Sequence, residues 1–209
     1  MTHHTTPPQS APTVFDALRR AAAAEGQRLS HREYLVDEAT ARHAGNGQCW
    51  RLMAHPHVDS APRAHRMWMR GRLQEALTLL HDREIVQAIR ADLDASRGLA
   101  SRTLWAPGAV LTHAERFCLH ALRMLGTTGF DVRVLDHHSR VRLGCADPLP
   151  DLVVYPRLGL LYLRHHTPGG WPGGAVRLYH PALAAEAGDL LARLTDHAVG
   201  IEAFARPHG

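Results

Sequence analysis

The residues with the strongest chemical potential are three histidine clusters, three cysteines and one aspartate at the head of an apolar run. The clusters are His55-Pro56-His57, His137-His138 and His165-His166. A zinc site needs three or four ligands converging at about 2 Å. No Cys-x-x-Cys or His-Glu-x-x-His spacing occurs. Adjacent histidines on a strand point to opposite faces, so one pair does not supply two ligands. The expectation is therefore surface histidine, with no metal and no cofactor.

Pro150-Asp151 opens a candidate hairpin. A divalent-metal nuclease would place Glu-x-Lys on the partner strand, where this chain has Tyr162-Leu163-Arg164. A phosphodiesterase with a histidine nucleophile would carry His-x-Lys, with an aspartate a few residues on. The hairpin reads Leu149-Pro150-Asp151-Leu152-Val153 instead. Lysine is missing from the whole chain, and all 24 basic side chains are arginine. That excludes Schiff-base chemistry and the phosphate-binding Gly-x-x-x-x-Gly-Lys loop. Cys118 lies on the apolar stripe of a helix, Cys145 lies beside Asp147, and Cys49 precedes Trp50 on a strand. Burial or a nearby carboxylate raises a thiol's pKa, so none is expected to be a nucleophile. No catalytic residue is assigned.

Two binding surfaces are expected. Trp105, His113, Trp171 and Tyr179 fall near loops at strand ends, where ligands lie in α/β folds. Arg63, Arg66 and Arg70 fall at i, i+3 and i+7, one face of a helix that could hold phosphates. Trp68 is on a different face, and Glu75, Asp82 and Glu84 dilute the charge that follows.

These residues need elements to position them. Residues 1–12 read as a disordered tail, 13–98 as a helical N-terminal region with one short strand, and 99–209 as an α/β domain. Thr13 would cap a first helix ended by Gly26. Ser30 and Glu33 form a capping box for a second, stopped by Gly45-Asn46-Gly47. Cys49 to Met53 reads as a strand. A long helix follows the His55 loop, with Leu73, Ala76, Leu77 and Leu80 at helical spacing, continued by Ile85, Ile89 and Leu93 up to Gly98. Then come a strand at 101–105, a Thr112/Glu115 capping box, a helix closed by Gly126, and a strand at 130–135. A loop at 136–150 precedes the hairpin of Asp151–Tyr155 and Leu158–Arg164. A strand at 175–179 and a helix opened by His180-Pro181 complete the pattern. Strands separated by helices predict an α/β fold with a small mixed sheet packed with helices and at least one parallel pair.

The formal charge is +4 and the sequence pI about 9.4, a mild basic balance that admits an acidic partner. No apolar run approaches the roughly 20 residues of a membrane span. The widely spaced cysteines, with no export-like segment, suit reduced thiols in a cytoplasm.

The order of elements from Ser101 to Ala198 resembles half of a phospholipase-D-like domain, in a degenerate form without its catalytic histidine and lysine. Several segments, taken in order, also resemble an actinobacterial family of uncharacterised cytoplasmic proteins often encoded beside helix-turn-helix regulators. They are Trp50-Arg51-Leu52, the His57 loop, Trp68 to Leu80, Ser101 to Trp105, Val132 to Val134, Leu149 to Val154, Leu160 to Leu163, Gly173 to Val176 and the final helix to Phe204. Met53 departs from the acidic residue often expected after Trp-x-Leu. The resemblance implies a non-enzymatic accessory or regulatory protein in transcriptional control. Its expected partners are a helix-turn-helix regulator or another protein, a small molecule, or a second copy of the chain. Nucleic acid would be reached indirectly, because no helix-turn-helix is visible here. The rival readings are a nucleic-acid-binding module using the arginine face and a hydrolase with an unrecognised site.

Overall fold

The structure is a computed structural model that describes residues 11–56, 61–95, 99–145, 149–167 and 171–206. Its elements are α1 (Ala11–Glu25), β1 (Gln27–Ser30), α2 (His31–Ala44), β2 (Gly47–Met53), α3 (Pro62–Met69), α4 (Leu73–Leu80), α5 (Arg83–Ala95), β3 (Leu99–Trp105), α6 (His113–Thr127), β4 (Asp131–Val134), α7 (His137–Arg142), β5 (Asp151–Tyr155), β6 (Leu160–His166), β7 (Pro172–Tyr179), α8 (Pro181–Asp196), β8 (Val199–Gly200) and α9 (Ile201–Ala205). The strands form one mixed sheet in the order β1-β7-β6-β5-β2-β3-β4-β8. β2, β3 and β4 are parallel, and the remaining pairings are antiparallel. The α/β class is as expected.

Alternation along the strands divides the core between two faces. Trp50, Leu52, Leu104, Leu152, Val154 and Leu161 point one way, onto Val14 and Leu18 of α1 and Leu190, Leu191 and Leu194 of α8. Cys49, Val153, Tyr155 and Tyr162 point the other way, onto Tyr34 and Ala41 of α2. Beyond them Met53, Trp105, Val132 and Val134 meet Phe117, Cys118, Leu122 and Met124 of α6.

Both predicted capping boxes are formed, Ser30/Glu33 on α2 and Thr112/Glu115 on α6. His180 caps α8 with Pro181 at its first position. Several expectations need correction. The long helix after the His55 loop is three helices. Gly71, with φ +78°, breaks it first. The Asp82 carboxylate then accepts the Glu84 N–H at 2.8 Å and starts α5 afresh. Thr13 lies inside α1 rather than at its cap. The region 13–98 carries two strands rather than one, because β1 has a single inward residue, Leu29, and so shows no alternation. The 136–150 loop contains α7, whose Asp136 cap accepts the Ser139 N–H at 2.9 Å. The boundary at residues 98 and 99 does not separate two sheets, since β2 pairs with both β3 and β5. Tail residues 1–10, His57 and Gly98 lie outside the described residues.

The edge pairing of β1 with β7 depends on Gly174. Its φ is +132°, and an added Cβ would sit 2.1 Å from the Leu29 carbonyl oxygen. Gly71 shares the positive φ but has nothing within 4 Å of the same position. Gly174→Ala combines conformational strain with a backbone clash and should destabilise the fold by about 3 kcal/mol. Gly71→Ala meets strain alone and should cost about 1 kcal/mol. Urea unfolding of the two variants checks the difference.

Candidate functional site

The α2 face of the sheet carries a buried charge network over β2 and β5. Glu38 is only 2% exposed. Its carboxylate accepts from Arg42, from Arg51 at 3.3 Å and from the Tyr155 hydroxyl at 2.6 Å. Arg42 also reaches Asp92 on α5. Burial pushes the Glu38 carboxyl up, but Arg51, Arg42 and the hydrogen bonds outweigh it and hold it below its ordinary value. The spacing Glu38 to Arg42 is i, i+4, one helix face. Register puts Arg51 and Tyr155 on the same side of adjacent strands.

Beside this network is a cavity of about 540 Å³. Its floor is Cys49, Arg51, Met53, Ser101 and Thr103, from β2 and β3. Ile85, Ala88, Ile89 and Leu93 of α5 form one wall, and Leu122 and Leu125 of α6 another. Glu38, Arg42 and Asp92 supply polar groups. The Cys49 thiol is pushed up to about 11, chiefly by burial, and so stays neutral near pH 7.

A second cluster lies at the carboxyl ends of the parallel strands, where β2 meets the start of antiparallel β5. Asp151 is 4% exposed. Its Oδ1 accepts the backbone N–H groups of Ala54 at 2.5 Å and His55 at 3.0 Å. Its Oδ2 lies 3.5 Å from His55 Nδ1 and 3.3 Å from His166 Nε2. The two imidazoles stack with ring centres 4.5 Å apart. Burial pushes the Asp151 carboxyl up. The bonds from His55 and Ala54 and the charge of His166 outweigh that and hold it below the usual range. The hydrogen bond to Asp151 raises His55. Cys118 is buried on α6, and its thiol is pushed up by burial and then by the charge of Asp151.

The residues expected to bind ligand do not meet in one pocket. Trp105 is fully buried and packs edge-on against Phe204. Tyr179 is 70% exposed at the end of β7. His113 and Trp171 are the ends of a row of rings through Trp68, Phe117 and His65, with neighbouring centres 5.0–5.8 Å apart. None of the four lines the cavity. Arg63, Arg66 and Arg70 are exposed, while His65 and Trp68 of α3 are buried. Arg70 stands just past the end of α3, as its cap. His137 and His138 sit together on α7, with ring centres 6.1 Å apart. His166 is not a surface histidine, since its side chain is 6% exposed. No adjacent histidine pair supplies both imidazoles of the cluster. The cluster takes one histidine from each of two separate groups, and the signal was their position at neighbouring strand ends.

Glu38→Ala removes one member of a buried charge set and should cost about 3–5 kcal/mol. The carboxyl is depressed in the fold. Its contribution is therefore present above its unfolded pKa of about 4.3 and lost as pH falls through the lower folded value. Glu38→Gln should accordingly be less stable than wild type at pH 7, with a shallower loss of stability below about pH 4, measured by denaturant unfolding across pH.

No protein-family model matches the sequence, and no curated protein or solved structure matches it either.

Proposed function

We propose that the protein is a non-enzymatic binding domain that takes a small amphipathic molecule into the cavity between α2, α5 and α6. The observation that carries this reading is the cavity itself. Its volume of about 540 Å³ falls within the roughly 300–1,000 Å³ typical of ligand sites. The lining pairs an apolar body with a few fixed polar groups, the usual composition of such sites. Ile85, Ile89, Leu93, Leu122, Leu125 and Phe130 would hold an apolar part. Three carboxylates (Glu38, Glu84, Asp92) against two guanidiniums (Arg42, Arg51) favour a neutral or cationic polar end. A neutral Cys49 thiol supports binding rather than thiolate chemistry.

The site has a route to the surface. Arg42 ties α2 to α5 through Asp92, whose side chain is 43% exposed. A ligand bearing on that pair would alter how α5 sits. Such a change suits the regulatory role that the family resemblance implies, in which the domain acts on a helix-turn-helix partner rather than on DNA.

Ala88 is exposed on α5 and borders the cavity, so Ala88→Trp should block it with little loss of stability. The neutral dye Nile red should bind wild type at one site and bind Ala88→Trp at least about tenfold more weakly, a loss of about 1.4 kcal/mol. Fluorescence titration checks this, with thermal unfolding as the control. Equal binding to both proteins would remove the cavity reading. Co-purification with the product of a neighbouring regulator gene tests the partner role separately.

A further inference from the structure

We infer that His55, Asp151 and His166 form a binding site for one divalent first-row transition-metal ion, of the kind zinc represents. The inference is independent of the cavity, because none of the three residues lines it. One ligand atom from each residue lies within 4.8 Å of the others. Asp151 Oδ2 faces His55 Nδ1 at 3.5 Å and His166 Nε2 at 3.3 Å. In a tetrahedral site with bonds of about 2.0–2.1 Å, neighbouring ligand atoms stand about 3.4 Å apart. The two carboxylate-to-imidazole edges already have that length. Only the separation between the two imidazoles has to close. His55 can supply that movement because its side chain is 49% exposed.

The supporting contacts fit a metal ligand. A ligating carboxylate needs its outer oxygen held, so that the inner one keeps its aim. Asp151 Oδ1 accepts two backbone N–H groups, from Ala54 and His55. That leaves Oδ2 for the ion. The amide of His55 thus orients the carboxylate while its own ring stands beside it. Asp151 and His166 are almost fully enclosed, and His55 opens on solvent. Two enclosed ligands, Asp151 and His166, and one exposed ligand, His55, leave an open side, where water or another donor would complete four-coordination. Two nitrogens and one oxygen suit zinc, cobalt, nickel or ferrous iron. Magnesium and calcium prefer an all-oxygen set.

The location also fits. The cluster sits at the carboxyl end of β2, where β5 begins and β6 ends. Three neighbouring strand ends thus meet at one margin of the sheet.

The test uses the full chain stripped with EDTA and then titrated with Co²⁺ and Zn²⁺. Wild type should take up one Co²⁺ with the intense visible absorption of a four-coordinate ion, and Zn²⁺ should displace it. Zn²⁺ affinity, measured by calorimetry, should fall about 100-fold or more in His55→Ala/His166→Ala and in Asp151→Asn. His137→Ala/His138→Ala controls for stray binding by the other histidines and should bind as wild type does. Asp151→Asn keeps an oxygen for the two backbone N–H groups, so circular dichroism of the metal-free variant reports whether the fold survives. Equal Zn²⁺ stoichiometry and affinity in the double histidine variant and wild type would overturn the inference. So would the absence of a tight Co²⁺ equivalent in wild type. Nile red binding is unaffected by either result, so failure here leaves the cavity reading standing.

Discussion

The register of β2 between β3 and β5 is the constraint on which the rest of the molecule depends. β2 is the strand where pairing changes from parallel to antiparallel. Side chains alternate along it, so a one-residue slip would exchange its two faces. Trp50 and Leu52 would then leave the α1 and α8 layer, and Arg51 would enter an apolar core. The same register carries Ala54 and His55 past the end of β2 to the start of β5, where their amides meet Asp151. One ladder therefore fixes the core, the floor of the cavity and the position of the carboxylate.

Two buried carboxylates are kept ionised by different means. Glu38 is balanced by guanidinium groups, which hold their charge at any ordinary pH. Asp151 relies on the bond from His55, on a backbone N–H from Ala54 and on the charge of His166. The first arrangement is permanent and ties α2 and α5 to the sheet. The second is adaptable, because an imidazole can hold either a proton or a metal ion, but not both on one nitrogen. The arginine-only composition serves the first task directly. A guanidinium can contact two partners at once, as Arg42 does with Glu38 and Asp92.

Much of the fold was legible because its signals are local. The capping boxes at Ser30 and Thr112 need only residues three apart, and the hairpin strands are apolar runs on either side of Pro156-Arg157. Elements whose formation depends on distant partners were not legible. β1 forms because β7 offers it an edge, whereas α7 has a local cap at Asp136 but, with Val141 as its one aliphatic residue, shows no helical periodicity. The sites were less legible still. Glu38, Arg51 and Tyr155 are far apart in the chain, and so are His55, Asp151 and His166. The strand order brings the second set together, and the packing of α2 on the sheet completes the first. Aromatic residues near loops, by contrast, drew attention to Trp105, which the fold uses as core.

The sheet ends in very short strands, β1 with four residues on one side and β8 with two on the other. Little unpaired backbone is thus presented at either margin for a neighbouring chain to extend. Two copies of this molecule would gain few main-chain bonds by joining margin to margin.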